Sequence, residues 1–497
     1  MSELIMKTNT CHPMLEQSDI LRLVFEECAR DGSNKIKTLA SAALCCHSWH
    51  DPANDVLWGF QDVVEPYLRT LPGVEEVGDR LTLQTYISEA QWARFIKFAK
   101  RARTLYLPDT AVHQCLSHRM AQLSGGQLIF PCLRDLQWIM GDTEDTHWPF
   151  LFLSPTLQAV SVHGFADGSR SQQMSAFFDA LLRLDRLESL SIKANLDDLS
   201  VVGKFTHLVD LNVRQISFSG DRNLFQQLPF LTRLRNLSFN VDGLKVDDNV
   251  KRVAMPSVTS LTLEGNATNL ARVMYLMKLP LLETIHQFTH GTRSECQSCV
   301  SAIPSCFVLT RTIKLRFKVT GLDPGSTTNA FPMIHPLLRV QTLESLTVTL
   351  EPNPKRQFRL MDDNFKHMAD AWPLLHDIYI AYPLGRPQPT FTTLVTLARR
   401  CKSLESISLP IMTTPLPHTR EIPLLSHQLD FLGVFAAGVV DDANRAAYFL
   451  FKMFPSLQRI VCLEGNGVEE DWEKVAGEYE QLKQVERDIL ARRCLLG

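Results

Sequence analysis

The chain has 497 residues, of which 45% are hydrophobic and 21% charged, and its formal net charge is −3. That composition suits a folded, soluble protein, yet the length exceeds what one compact core usually organises. The near-neutral balance gives no broad basic surface for nucleic acid or an anionic membrane, and no apolar run approaches the ~20 residues that span a bilayer.

Met1 to His12 lacks a charged stretch followed by an apolar one, so no secretion signal is expected. The twelve cysteines have no framework spacing, and several fall in apolar helical segments, such as Cys28, Cys45 and Cys46. They read as reduced core thiols of a cytoplasmic or nuclear protein. Residues 15–60 read as a small helical cluster. Ser18 or Asp19 is placed to cap a helix carrying Ile20, Leu21, Val24, Phe25 and Cys28. Leu39, Ala40, Ala43 and Leu44 follow at helical spacing, then Cys46-His47-Ser48-Trp49 and Val56-Leu57-Trp58. So many large apolar groups in so short a segment make a poor isolated domain, so part of this surface is expected to meet a partner. A purely internal three-helix core is the other reading.

Residues 61–87, with Pro66, Pro72, Gly73 and Gly78, read as a connector. Ser88-Glu89-Ala90-Gln91 is a capping-box pattern that opens a helix through Trp92, Phe95, Ile96 and Ala99. From there to residue 466 an apolar-x-apolar strand recurs fourteen times at intervals of 21 to 33 residues. The strands open at Leu105, Leu136, Val160, Leu190, Leu211, Leu237, Leu261, Ile285, Ile313, Leu346, Ile378, Ile407, Leu432 and Ile460. Three residues upstream stands a leucine in every case except Ala102, Val258 and Thr310. Alternation along a strand sends the two flanking apolar residues into the core and the one between them outward. Helical periodicity precedes many strands, as in Phe177, Phe178, Leu181 and Leu182, or Leu394, Leu397 and Ala398. The expected fold is therefore α/β: a three-helix cluster followed by a curved solenoid of leucine-rich repeats over residues 88–466. An asparagine five residues after the strand opening occurs only at Asn195 and Asn266, so an asparagine ladder does not hold the turns. Residues 320–335 and 410–427 read as longer loops. Residues 467–497 read as a helix with Val475, Tyr479, Leu482, Val485 and Ile489 on one face, covering the last repeat; a coiled coil with a partner is the alternative.

The outward mid-strand positions are mostly small and polar. Tyr106, His286, Lys314 and Tyr379 are the large exceptions and thus candidate anchors for a bound protein. His286, His290, Cys296, Cys299 and Cys306 lie close in sequence, but no second ligand pair follows Cys296-x-x-Cys299, so no metal is expected. Cys494 stands fourth from the end, but a terminal Gly497 is not a usual prenylation choice. No phosphate loop, dinucleotide fingerprint, nucleophile elbow or His-Glu-x-x-His motif occurs, so neither catalysis nor a cofactor is expected.

The order of an Ile-Leu-x-x-Val-Phe helix at Ile20, Leu21, Val24 and Phe25, a Cys-x-x-Trp helix at Cys46 to Trp49, and a closing Leu57-Trp58 resembles the F-box. With repeats downstream, the architecture is similar to F-box proteins with irregular leucine-rich repeats, of the kind abundant in mushroom-forming fungi. The resemblance implies that the first unit docks on the Skp-type adaptor of a cullin-based ubiquitin ligase while the repeats hold the target protein. The implied adaptor-facing or motif-core residues are Ile20, Leu21, Val24, Phe25, Leu44, Trp49, Leu57 and Trp58. Where the family usually opens with Leu-Pro, this chain has Gln17-Ser18-Asp19, which keeps a second reading open: a ligase-independent scaffold whose cluster caps the first repeat.

Overall fold

In the computed structural model every one of the fourteen apolar-x-apolar segments is a β-strand. The structure describes residues 17–30, 34–59, 61, 63–78, 80–108, 111–140, 148–164, 171–193, 199–214, 225–242, 252–321, 327–351, 357–382, 388–412, 416, 423–425, 427–436, 440, 442–464 and 469–496. Asn195 and parts of the two expected long loops lie outside these residues; the described part of the first, expected as a loop over 320–335, is instead a strand, Thr327–Asn329, and a helix, Phe331–Ile334. The chain divides into two units, Met1–Arg233 and Leu234–Gly497.

The first unit opens with three helices, α1 (Ser18–Arg30), α2 (Lys35–Cys45) and α3 (His47–Gly59). Helix α1 begins at Ser18 itself, and the Gln17 carbonyl accepts the Leu21 N–H, so Ser18 is the first helical residue rather than a cap standing before it. Leu21 and Phe25 of α1, Leu39, Ala42 and Ala43 of α2, and Ala53 and Val56 of α3 form one small core.

Within residues 61–87, expected to be a connector, the described residues include a short helix and two strands. Pro66 sits at the start of a short helix, Glu65–Leu68, where its missing N–H costs nothing. Strands Val74–Val77 and Arg80–Leu83 pair antiparallel, and Val64, Tyr67, Leu68, Leu71, Leu81 and Ile87 are buried. The capping box at Ser88 forms as the sequence predicts: its hydroxyl accepts the Gln91 N–H, and Gln91 Oε1 accepts the Ser88 N–H at 2.8 Å.

Five parallel strands of this unit, Thr104–Leu107, Asp135–Met140, Ala159–Gly164, Ser189–Lys193 and Asp210–Arg214, stand in register with Leu105, Leu136, Val160, Leu190 and Leu211 side by side. Behind them Phe95, Phe130 and Phe152 link successive repeats, with ring centroids 6.2 and 5.0 Å apart. Helices precede some strands as expected, for example Ser171–Leu181 with Phe177, Phe178 and Leu181 buried. Between the strands at Leu190, Leu211 and Leu237, short 3₁₀ turns (Ser200–Lys204 and Leu228–Phe230) stand in place of the helix.

The second unit carries nine parallel strands, again in one register: Leu237, Leu261, Ile285, Ile313, Leu346, Ile378, Ile407, Leu432 and Ile460 are successive partners. All eleven upstream leucines are buried, and so are the exceptions Ala102, Val258 and Thr310. Thr310 is tolerated because its hydroxyl donates to the Phe307 carbonyl at 3.3 Å, which satisfies the one polar atom that replaces a leucine methyl.

Successive repeats are tied by the main chain. At twelve of the fourteen strands, the first residue and the one before it donate both N–H groups to a single carbonyl of the preceding repeat. In the second unit the acceptors run Arg235, Thr259, Glu283, Arg311, Glu344, His376, Glu405 and Asp430. In the first unit they run Arg103, Arg134, Gln158 and Glu188. This relay does the work an asparagine ladder would do elsewhere; Asn266 instead caps the helix Ala267–Leu276 by accepting the Thr268 N–H at 2.9 Å. The helix Glu469–Leu496 closes the last repeat through buried Trp472, Val475 and Tyr479. Tyr479 Oη donates to the Phe454 carbonyl at 2.6 Å, and Lys483 Nζ to that of Leu457 at 2.8 Å. Leu482 is half-buried, and Val485, Ile489 and Leu490 are exposed.

Candidate functional site

The helical cluster divides the motif residues into an inner and an outer set. Leu21 and Phe25 are 1% and 5% exposed, and Trp49 and Leu57 pack on the same core, with the Phe25 and Trp49 rings edge to face at 5.7 Å. Trp58 leans on Tyr67 and Phe98, at 5.3 and 4.5 Å, so it joins α3 to the first repeat. The outer set is Val24, 46% exposed, and Leu44, 85% exposed, with Ile20 half-buried between the two conditions. Leu23 and Ile36, which the motif reading passed over, are 66% and 55% exposed. Ile36, Ala40 and Leu44 recur every four residues and so line one face of α2. Beside it lies a cavity of about 390 Å³ lined by Ala29, Ile36, Leu39, Val56, Leu57 and Pro66 among others. Bare apolar surface of this density on a finished core is what a docking face requires.

The cluster is anchored as well as exposed. Arg101 donates to the Asp55 carboxylate at 2.6 Å, to Asp51 Oδ1 at 2.7 Å and to the Asp51 carbonyl at 3.0 Å. The Arg101 hydrogen bond holds the Asp51 carboxyl below the usual carboxylate range. Val64 donates its N–H to the Tyr106 carbonyl at 3.2 Å, so the edge of the first repeat strand is covered. Cys45 and Cys46 are exposed rather than core residues. The Ser48 hydroxyl, 3.2 Å away, and the first amides of α3 hold the Cys46 thiol below its ordinary range.

On the sheets, the outward mid-strand residues align as the alternation predicts. Tyr106, Gln137, Ser161, Ser191 and Asn212 are successive partners in the first unit; Ser238, Thr262, His286, Lys314, Thr347, Tyr379, Ser408, Gly433 and Val461 are in the second. His286 and Lys314 are therefore direct neighbours, with Tyr379 two strands further on and its ring edge to face with Phe435 at 5.4 Å. Half-burial pushes the His286 imidazole down, and the Lys314 charge adds to this. Strands Thr284–Thr292 and Thr312–Thr320 are nine residues long, longer than their neighbours, and carry outward positions the core pattern alone does not single out: Phe288, His290, Arg316 and Lys318. The available signal was the alternation itself, Lys314-x-Arg316-x-Lys318.

Cys296 and Cys299 point the other way. Both are buried on the helix Arg293–Cys306, and burial pushes each thiol up to about 12. His286 faces outward, so the strand separates the histidine from the thiols, and among the described residues no group of three metal-ligating side chains converges. Nor is any helix among them long and apolar enough to cross a membrane.

Fold and surfaces together define a mixed α/β protein of repeated parallel strands that presents a helical cluster at one end of its sequence. No family model matches the chain, and no curated protein matches it. Among solved structures, a Bacteroides fragilis protein aligns over 54% of this chain and 68% of its own at 12% identity and a TM-score of 0.27. The yeast Rad7 and Elc1 complex aligns over 83% of this chain and 92% of that one, at 11% identity and a TM-score of 0.29.

Proposed function

We propose that the chain is a binding subunit of a cullin-type ubiquitin ligase: an F-box-like cluster, residues 15–60, docks on a Skp-type adaptor, and leucine-rich repeats hold a target protein. Ligation chemistry then belongs to other subunits. The contribution of this chain is positional: it raises the local concentration of target lysines near the ubiquitin donor. The observation that carries the reading is the outer set of the cluster. After closing its own core, the cluster still exposes Leu23, Val24, Ile36 and Leu44 in the part of the sequence that resembles the adaptor-docking motif. Burying apolar surface on association contributes ~25 cal/mol per Å² before ordering costs, enough for a few such side chains to anchor a partner.

The test is co-expression of the full chain with a Skp-type adaptor, followed by size-exclusion chromatography. A co-eluting complex that disappears in a Val24→Glu, Leu44→Glu double variant, whose melting temperature matches the wild type, supports the proposal. Absence of any complex with a folded wild-type chain sinks it. Phe25 is not a suitable probe, because a buried aromatic cut to alanine costs about 3–5 kcal/mol and would unfold the cluster itself.

A second reading is favoured by one specific observation. Arg101, Trp58 and Val64 seat the cluster against the first repeat and cover the Thr104–Leu107 strand. A ligase-independent scaffold needs nothing more of the cluster than this cap, and it would leave Val24 and Leu44 without effect on any adaptor.

A further inference from the structure

The strand Thr312–Thr320 turns three cations in succession, Lys314, Arg316 and Lys318, to the outer face of the sheet, all exposed. Alternate residues of a strand lie ~6.6 Å apart, so the three form one straight row. Arg316 is held in place: its Nε donates to Glu351 at 3.1 Å, and its guanidinium lies 5.8 Å from the centre of the Phe288 ring on the neighbouring strand. Lys314 and Lys318 have no ion-pair partner among the described residues. Phe288, the register partner of Arg316, is 40% exposed on the same face. A row of three cations, two of them without an ion-pair partner among the described residues, beside a partly exposed aromatic ring is a concentration of charge and apolar surface that a chain of net charge −3 does not predict.

Resting on the reading of the repeats as the part that holds the target, we propose that the face formed by Lys314, Arg316, Lys318 and Phe288 binds an acidic, extended peptide segment that carries an apolar side chain. An extended peptide laid along the strand repeats its side chains on one face at the same ~6.6 Å interval, so alternate carboxylates meet successive cations. The apolar side chain covers Phe288. Charge on both flanks favours a peptide over a nucleic-acid backbone. Glu264 is the register partner of Phe288 on one side, and Glu351 lies beyond Arg316 on the other. A peptide can set neutral residues against these carboxylates, whereas a backbone charged at every unit cannot.

The measurement is fluorescence polarisation of a labelled oligoglutamate peptide with a central leucine, titrated with the full chain. We expect saturable binding that weakens with salt and falls by about tenfold or more in a Lys314→Glu, Lys318→Glu double variant. A Lys366→Glu, Lys402→Glu variant, with the same charge change at exposed positions off the sheet face, should stay within about twofold of the wild type. Three results overturn the proposal: no binding by the wild type, equal loss in both double variants, or an oligothymidylate of equal charge binding as tightly as the peptide. Adaptor co-elution is read in parallel on the wild-type chain. If the adaptor binds and the peptide does not, this inference falls alone; if the peptide binds and no adaptor does, only the ligase reading falls.

Discussion

Asp362 joins two repeats through one carboxylate. Its Oδ1 accepts the Thr390 N–H at 2.8 Å and the Thr393 hydroxyl at 2.6 Å, and its Oδ2 accepts the Thr390 hydroxyl at 2.8 Å. Three hydrogen bonds to a charged acceptor predict that Asp362→Ala destabilises the protein by about 2 kcal/mol or more in urea unfolding, and Asp362→Asn by less. Nothing in the sequence marks this residue, because its partners stand 28 and 31 positions away and belong to the next repeat. Residues whose role follows from periodicity were legible: each strand-opening residue from Leu105 to Leu432 is buried, as the alternation requires. Those whose role follows from the length of one strand, such as Phe288, Arg316 and Lys318, were not, since a nine-residue strand and a five-residue strand begin with the same apolar-x-apolar signal.

At the scale of elements, local chemistry decided what could be read. The Ser88 capping box needs four consecutive residues and is legible; the short helix and two strands at Glu65–Leu68, Val74–Val77 and Arg80–Leu83 are not, because Pro66, Gly73 and Gly78 resemble linker residues. In place they serve as a helix start and as two turn positions with φ of 83° and 66°. The closing helix Glu469–Leu496 does two different things along its length. Trp472, Val475, Tyr479 and Lys483 bind the last repeat, whereas Val485, Ile489 and Leu490 touch little. A chain cut after Gln484 should therefore melt within a few degrees of the full chain. A chain cut after Asn466 should expose the last repeat and aggregate on heating, read by scattering during a thermal ramp. Equal behaviour of the two truncations would show that the helix closes nothing.

At the scale of the whole molecule, the two proposed surfaces lie far apart in sequence and share no residue, so their perturbations should add. Combining Val24→Glu and Leu44→Glu with Lys314→Glu and Lys318→Glu should abolish adaptor and peptide binding together. Each pair alone should leave the other partner's affinity within about twofold, measured by polarisation and co-elution on the same preparations. The repeat count and the α/β alternation were visible from the first pass along the sequence, because fourteen recurrences of one pattern outweigh any single irregular one. What joins the repeats was invisible, because it is a relay of carbonyls, from Arg103 to Glu188 and from Arg235 to Asp430, and a carbonyl belongs to every residue type. That relay leaves the side chains at its own positions uncommitted: arginine, threonine, glutamate, histidine and aspartate all occupy them. The scaffold can therefore exchange its outer residues singly without loosening its joints, and a lineage built on it can change what it grips while keeping how it stands.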